Sequence, residues 1–358
     1  MIKVLELFAG IGACSKALEN LGIEYEIVDA VEIDKYAIKA FNAIHGTNFE
    51  PQDITKWDKD IKCDLIMHGS PCQDFSIAGK QAGGDEGSGT RSSLMYETLR
   101  IVEKLKPKYV IWENVKNLLS EKHRPNFEAY QRAMADMGYR NYAQVLNAKN
   151  YGIPQNRERV FTVSIRLDVP FATLFEFPEP IPLEKHLKDV LEQKVDEGYY
   201  LSEDRLLAIK AWENRQIENN RGFRFEVKSG EDIGRAITTS GDRPCATNYV
   251  AIRTANKKGY DMAVNGDGVD LAYPESNTRR GRVGHGVSKT IPTSDSQGVL
   301  DGFRIRKLTP RECYRLMGFD DVSFDRASAV LSNTQLYKTA GNSIVVDVLQ
   351  AILKQLLQ

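Results

Sequence analysis

The chain is 358 residues long, 42% hydrophobic and 27% charged, the composition of a globular protein with length for one large core or two of usual size. Its net charge of −1 advertises no polyanionic partner, so any nucleic-acid contact has to rest on local charge. Five scattered cysteines with no Cys-x-x-Cys pair argue against a disulfide framework and a zinc site and suit a reducing cytoplasm, and no apolar run is long enough to span a bilayer.

The opening M-I-K-V-L-E-L-F is broken by Glu6 and reads as a core strand rather than a signal peptide. Apolar, β-rich runs at residues 2–8, 27–32, 64–68, 109–112 and 159–165 then alternate with helical spacing at 13–21, 35–44, 93–105 and 126–137. Continuous rather than alternating apolar runs predict a sheet buried on both faces, hence an α/β, doubly wound, mostly parallel sheet. Ligands of such sheets sit beyond the carboxyl ends of the strands, and chemistry is sought there.

The first strand ends in F-A-G-I-G-A-C, Phe8 to Cys14. Glycines at a strand-to-helix turn let a ligand approach the backbone near the helix N-terminus. The third glycine of the dinucleotide fingerprint is missing, and the turn alone is equally well a simple tight turn. Glu32, about 20 residues after Gly12, stands where an acid commonly binds ribose hydroxyls. Turn and acid together favour a nucleoside-containing cofactor, and Asp53 follows near the end of a third unit.

The segment G-S-P-C-Q-D-F-S places Cys72 after a proline at a strand's carboxyl end, an exposed position from which a thiolate can attack. Cys14 and Cys63 fit a buried structural reading better. The glycine-rich Q-A-G-G-D-E-G-S-G-T that follows, Gln81 to Thr90, reads as a mobile lid or as an ordinary surface loop. Glu113, in E-N-V at the next strand end, is placed to share a proton with a substrate ring nitrogen, or to cap a helix or form an ion pair. In Q-N-R-E-R-V, period-2 alternation puts Arg157 and Arg159 on one face, where they need anions, polar acceptors or internal carboxylates.

After Pro170 the texture changes. Pro178, Pro180 and Pro182 punctuate a linker, a helical stretch covers 202–219, and 221–303 is glycine-rich with short strand-like pieces such as 249–253. This predicts a second, smaller and irregular domain. Its stretch R-R-G-R-V-G-H-G-V-S-K carries Arg279, Arg280, Arg282 and Lys289 without an acid, suited equally to phosphate and to plain solvation. Residues 336–357 return to helical texture and are expected to dock on the first domain.

The order F-x-G-x-G, G-S-P-C-Q-x-F-S, E-N-V, Q-x-R-x-R and a late G-N-S resembles the DNA (cytosine-5) methyltransferase family over nearly the whole chain. The resemblance implies a Rossmann-like methyltransferase fold with catalytic domain 1–175, target-recognition domain with hinge 176–332, and C-terminal helix 333–358. It implies methyl transfer from S-adenosyl-L-methionine to carbon 5 of a cytosine flipped out of double-stranded DNA. By the same resemblance Cys72 is the nucleophile, Glu113 engages the cytosine ring, and Arg157 and Arg159 lie near the target base. Phe8, Gly10 and Gly12 would cradle the cofactor, Glu32 its ribose, and Asp53 with Ile54 its adenine, while Asn342 belongs to the motif that completes the pocket. Gln73, Ser76, Arg279, Arg280 and Arg282 are the expected DNA contacts. Arg306 to Phe319 matches the motif that supports the recognition domain. The family pattern further implies a cytoplasmic monomer with no metal and no membrane, and a separately encoded restriction endonuclease as a candidate partner.

Three other readings compete. A transfer-RNA cytosine-5 methyltransferase shares most motifs, but that subfamily resembles P-P-C-Q with a later C-F-T signature, and this chain has Ser70 before Pro71 and no such signature. An amino-group methyltransferase would carry a D-P-P-Y or N-P-P-Y motif, which is absent. A catalytically silent DNA-binding regulator would not be expected to keep the complete catalytic set.

Overall fold

The computed structural model describes residues 1–70, 94–199 and 308–357, and the short strands Gly234–Arg235, Tyr249–Ala251, Gly268–Asp270, Val283–Gly284, Gln297–Val299 and Ile305–Lys307. The chain divides into two compact units, Met1–Lys185 with Cys313–Gln358, and His186–Glu312.

The first unit begins with three strand-then-helix steps: β1 (Ile2–Leu7), α1 (Ala13–Asn20), β2 (Tyr25–Val31), α2 (Lys35–His45), β3 (Leu65–His68) and α3 (Met95–Leu105). It continues through β4 (Tyr109–Val115), α4 (Arg124–Asp136), β5 (Tyr139–Asn147), a two-residue β6 (Gln155–Asn156) and β7 (Glu158–Arg166). Six strands form one sheet in the order β2-β1-β3-β4-β7-β5. β2, β1, β3 and β4 run parallel, as expected for strands joined by crossover helices. β7 is antiparallel to both of its neighbours, because the short 148–157 connection from β5 leaves no room for a crossover helix.

Local chemistry sets the element ends. Asp34 caps α2 by accepting from the Tyr36 N–H, and Gly46 ends that helix in the left-handed region at φ +68°. The aromatic cluster Trp112, Phe127 and Tyr130 joins Leu5, Leu7, Ile66, Ile101 and Val110 in the main core. Every residue of β3 is buried, the apolar Leu65, Ile66 and Met67 and the final His68 alike. β5 has no such run: it is the edge strand, half exposed along its length, and its polar sequence hid it from the periodicity reading.

The C-terminal part of this unit holds α6 (Asp321–Ser328), α7 (Asn333–Asn342) and α8 (Val346–Leu357), preceded by α5 (Pro310–Leu316). The helical texture of 336–357 is thus two helices, with the break at residues 343–345. α8 packs on α1 and α6 on α2. Lys16 Nζ reaches Asp320 at 2.8 Å, Lys338 Nζ reaches Asp34 at 2.6 Å, and Arg326 donates to the Ile44 carbonyl at 2.7 Å. Residues 313–332, which the family resemblance placed in the target-recognition domain, group with the first compact unit, and the Asp320 and Arg326 contacts lie within that stretch.

In the second unit Val283–Gly284, Gly268–Asp270 and Gln297–Val299 form a three-stranded antiparallel sheet, and Ile305–Lys307 pairs with Tyr249–Ala251. The buried Glu312 carboxylate accepts from the Glu192 and Thr309 N–H groups, both at 2.8 Å.

Candidate active site

At the end of β1 the chain enters the left-handed region three times, at Phe8 (φ +53°), Gly10 (φ +56°) and Gly12 (φ +80°). Each glycine has its own reason. A Cβ on Gly12 would fall 2.1 Å from His45 Nε2, so the close packing of α2 under the turn demands glycine. Among the described residues, a Cβ on Gly10 would meet nothing within 4 Å, a close approach that a ligand could use. His45 braces the same turn through a 3.0 Å hydrogen bond with the Ile11 carbonyl, and burial pushes its pKa down to about 4.

Glu32, just past β2, accepts from the Gly10 N–H at 3.0 Å and the Asp34 N–H at 2.9 Å. Burial holds its carboxyl above the usual range, against the pull of those backbone donors. Asp53 Oδ1 accepts from Thr55 N–H at 3.0 Å and Thr55 Oγ1 at 2.8 Å, and these donors hold the carboxyl below its usual range. Ile54 beside it is buried.

β3 ends at His68, which lies buried, stacked on Trp112 and 3.0 Å from the Tyr130 hydroxyl. Two residues on, Ser70 Oγ accepts from Trp112 Nε1 at 3.1 Å and Asn114 Nδ2 at 3.4 Å, fixing the start of the P-C-Q segment to β4. Cys72, Gln73, Ser76 and the glycine-rich stretch 81–90 lie outside the described residues, as do Arg279, Arg280 and Arg282.

Glu113 is buried near the end of β4, its Oε1 3.0 Å from Arg159 Nε on the neighbouring β7. Its Oε2 lies 3.8 Å from where a Cβ on Gly69 would project, so the carboxylate sits beside the start of the segment leading to Cys72. Arg157 goes elsewhere. It is buried, and its Nη2 donates to the Ser343 carbonyl at 2.9 Å and the Gly341 carbonyl at 3.4 Å. Arg157 precedes β7 rather than belonging to it, so strand alternation does not align it with Arg159. Its bonds straddle Asn342, which is exposed at the end of α7, and they hold the returning segment at the site. The Ile344 side chain lies 3.6 Å from the same Gly69 Cβ position.

The carboxyl ends of β1, β2, β3 and β4 therefore carry a glycine turn, the Glu32 carboxylate bonded to it, the approach to a cysteine and a buried glutamate–arginine pair. A family model for C-5 cytosine-specific DNA methylases matches residues 2–358. The chain belongs to that family. The orphan methyltransferase M.SPRI of Bacillus phage SPR is 32% identical over 99% of this chain and 97% of its own. The type II methyltransferase M2.ScrFI of Lactococcus lactis subsp. cremoris is 33% identical over 99% of both. The solved Entamoeba histolytica methyltransferase EhMeth superposes with a TM-score of 0.69 at 19% identity, covering 99% of this chain and 98% of that one, a likeness of fold. This C-5 cytosine-specific methylase is accordingly a DNA (cytosine-5) methyltransferase.

Several side chains that shape the methylase's site had no signal in the sequence. His45, Trp112 and Ile344 act through contacts made only once distant elements meet. Among the described residues no group of three His, Cys, Asp or Glu side chains is placed to hold a metal ion, and no helix is long and apolar enough to cross a membrane.

Proposed function

We propose that the enzyme methylates carbon 5 of a cytosine flipped out of a specific duplex sequence, through a covalent bond between Cys72 and carbon 6, with S-adenosylmethionine as the methyl donor. The observation that carries this reading is the buried Glu113–Arg159 pair beside Gly69, at the entry to P-C-Q. The open backbone at Gly10 and the Glu32 carboxylate bonded to that turn suit a nucleoside with ribose hydroxyls and a charged tail. Phe8, Gly10, Gly12, Glu32, Asp53, Ile54 and Asn342 are its proposed contacts. When bound, this cofactor supplies an electrophilic methyl group on a sulfonium.

Carbon 5 of cytosine is a weak nucleophile. Addition of the Cys72 thiolate at carbon 6 moves the ring electron pair onto carbon 5 as an enamine, which can then take up a methyl group. Hydrogen bonding or proton donation at ring nitrogen 3 eases that addition, and this is the role given to Glu113. Arg159 holds Oε1 of that carboxyl and orients Oε2 toward the ring, while Arg157 holds the returning segment around Asn342 in place. Loss of the carbon-5 proton and release of the thiolate then restore aromaticity and free Cys72. A stacked base cannot reach such a pocket, hence the flipped substrate.

Sequence reading is assigned to residues 221–303, with Arg279, Arg280 and Arg282 on phosphates and Gln73 and Ser76 near the target nucleotide. The enzyme is expected to work as a cytoplasmic monomer. A separately encoded restriction endonuclease is the candidate partner, on the pattern of the type II relative. Bisulfite sequencing of DNA incubated with enzyme and S-adenosylmethionine tests the reading. Protection of cytosines in one short recurring context is the expected result. Uniform conversion, beside an active control, would overturn it and direct the search to transfer RNA.

A further inference from the structure

The turn at residues 52–57 is held from two sides by charged groups that no part of the chemistry uses. From β2, the buried Asp29 carboxylate takes the side chains flanking Asp53 and Ile54. Its Oδ1 accepts from Gln52 Nε2 at 2.8 Å, and its Oδ2 from Trp57 Nε1 at 2.8 Å and Lys59 Nζ at 2.7 Å. From α3, Arg100 Nη2 donates to the carbonyls of Ile54 at 3.0 Å and Trp57 at 2.9 Å, its Nε meanwhile paired with Glu97 at 2.9 Å. Gln52 is further bonded to the Glu32 carbonyl through its N–H at 2.8 Å, and through its side chain to the Ala30 carbonyl at 3.0 Å. The turn is thereby tied to the residue proposed to hold the ribose.

Burying a carboxylate is costly, and the cost is offset here only because several donors converge on it. Burial works to raise the Asp29 pKa, but the bonds from Lys59, Trp57 and Gln52 outweigh it and hold the group ionised. The turn so fixed lies at the surface, with Asp53 half-buried and Thr55 and Lys56 exposed. Core packing alone does not call for this restraint on a carboxylate that is only half-buried. A turn that must present Asp53 and Ile54 in one geometry does, since a contact set in advance loses less freedom on binding.

We infer that Asp29 and Arg100 are positioning residues for the nucleobase end of the cofactor site, clamping the Asp53–Ile54 turn from below and from outside. The inference rests on the reading of that turn as the adenine contact. The clamp acts on affinity rather than on chemistry, because neither group comes from the strand ends that carry Glu113 and the approach to Cys72.

The test is calorimetric titration of S-adenosylhomocysteine into the full-length protein and its Asp29→Asn, Arg100→Ala and Arg100→Lys variants. Asparagine offers one acceptor and two unwanted donors to a site that presents three side-chain donors and the Ala30 N–H, so Asp29→Asn breaks the inner clamp without removing volume. Arg100 lies on the surface side of α3 and its variants retain the core. Asp29→Asn and Arg100→Ala are expected to weaken binding about tenfold or more, with Arg100→Lys recovering part of the loss. Methyl transfer at saturating cofactor should stay within about twofold of the parent while the cofactor KM rises, a split that general destabilisation would not produce. Parent binding with unchanged variant affinities would overturn the clamp alone. Failure of the parent to bind would overturn the cofactor reading and the clamp together.

Discussion

The two flanks of the site are assembled in different ways. On the cofactor flank, bonds join residues close in sequence: Gly10 to Glu32 across 22 positions, Gln52 to Asp29 across 23, and His45 to Ile11 across 34. On the base flank the partners are far apart. Glu113 meets Arg159 across an antiparallel strand pair, and Arg157 reaches Ser343 across 186 positions. Apart from Asn342, the first flank is built from residues 8–54 of the opening strand–helix steps. The second exists only after β7 has inserted beside β4 and the C-terminal helices have returned. The cofactor flank should therefore tolerate changes that remove chemistry, whereas the reverse independence should fail where Arg157 bridges the two.

The sharpest test of that separation is Cys72→Ala. Methyl transfer is expected to fall at least about 1000-fold, with S-adenosylhomocysteine affinity unchanged by calorimetry. Substantial turnover in this variant would refute the covalent route. Glu113→Gln comes next: kcat should drop roughly 100-fold or more, again without loss of cofactor affinity, because Gln keeps the volume but not the acid. Equal loss of cofactor binding would show the flanks to be coupled at this position.

Arg157→Met probes the bridge. Loss of the donors to Gly341 and Ser343 should cost about 1–3 kcal/mol in denaturant melts and should weaken cofactor binding as well. A variant that loses turnover but neither stability nor affinity would place Arg157 at the base instead.

The smallest effect is in pH. Burial brings Glu6, bonded to Ser15 behind the glycine turn, up to about 7 from the ordinary 4.5. Its folded pKa is raised, so its contribution is fully present below pH 4.5 and is lost as pH climbs toward 7. His45 and His68 are pushed down by burial to about 4 and about 3, so theirs is present above pH 6.5 and lost as pH falls through those values. Glu6→Gln should flatten the alkaline loss between pH 4.5 and 7 and leave the acid limb in place. Thermal midpoints measured across that range check it, and parallel curves for parent and variant would sink the assignment.

Much of this architecture was legible before the structure. The runs at 2–8, 64–68 and 109–112 were readable as strands because their central positions are mostly apolar and are buried on both faces. The glycine turn, Glu32 and Glu113 were readable because strand ends in a doubly wound sheet mark the ligand crevice. β5 was not, because an edge strand needs no continuous apolar signal. Nor was the divergence of Arg157 from Arg159, since alternation applies only inside a strand and Arg157 stands before β7.

The sequence by itself determined the family, the order of the strand–helix steps and the chemical types at the strand ends. All of these depend on residue identity and local spacing. The tertiary structure alone decided that Gly12 must be glycine because His45 packs beneath it, that Arg159 takes Glu113, and that Arg157 secures the segment around Asn342. Each of these depends on which distant atoms are brought within about 3 Å, and spacing along a chain carries no record of that distance.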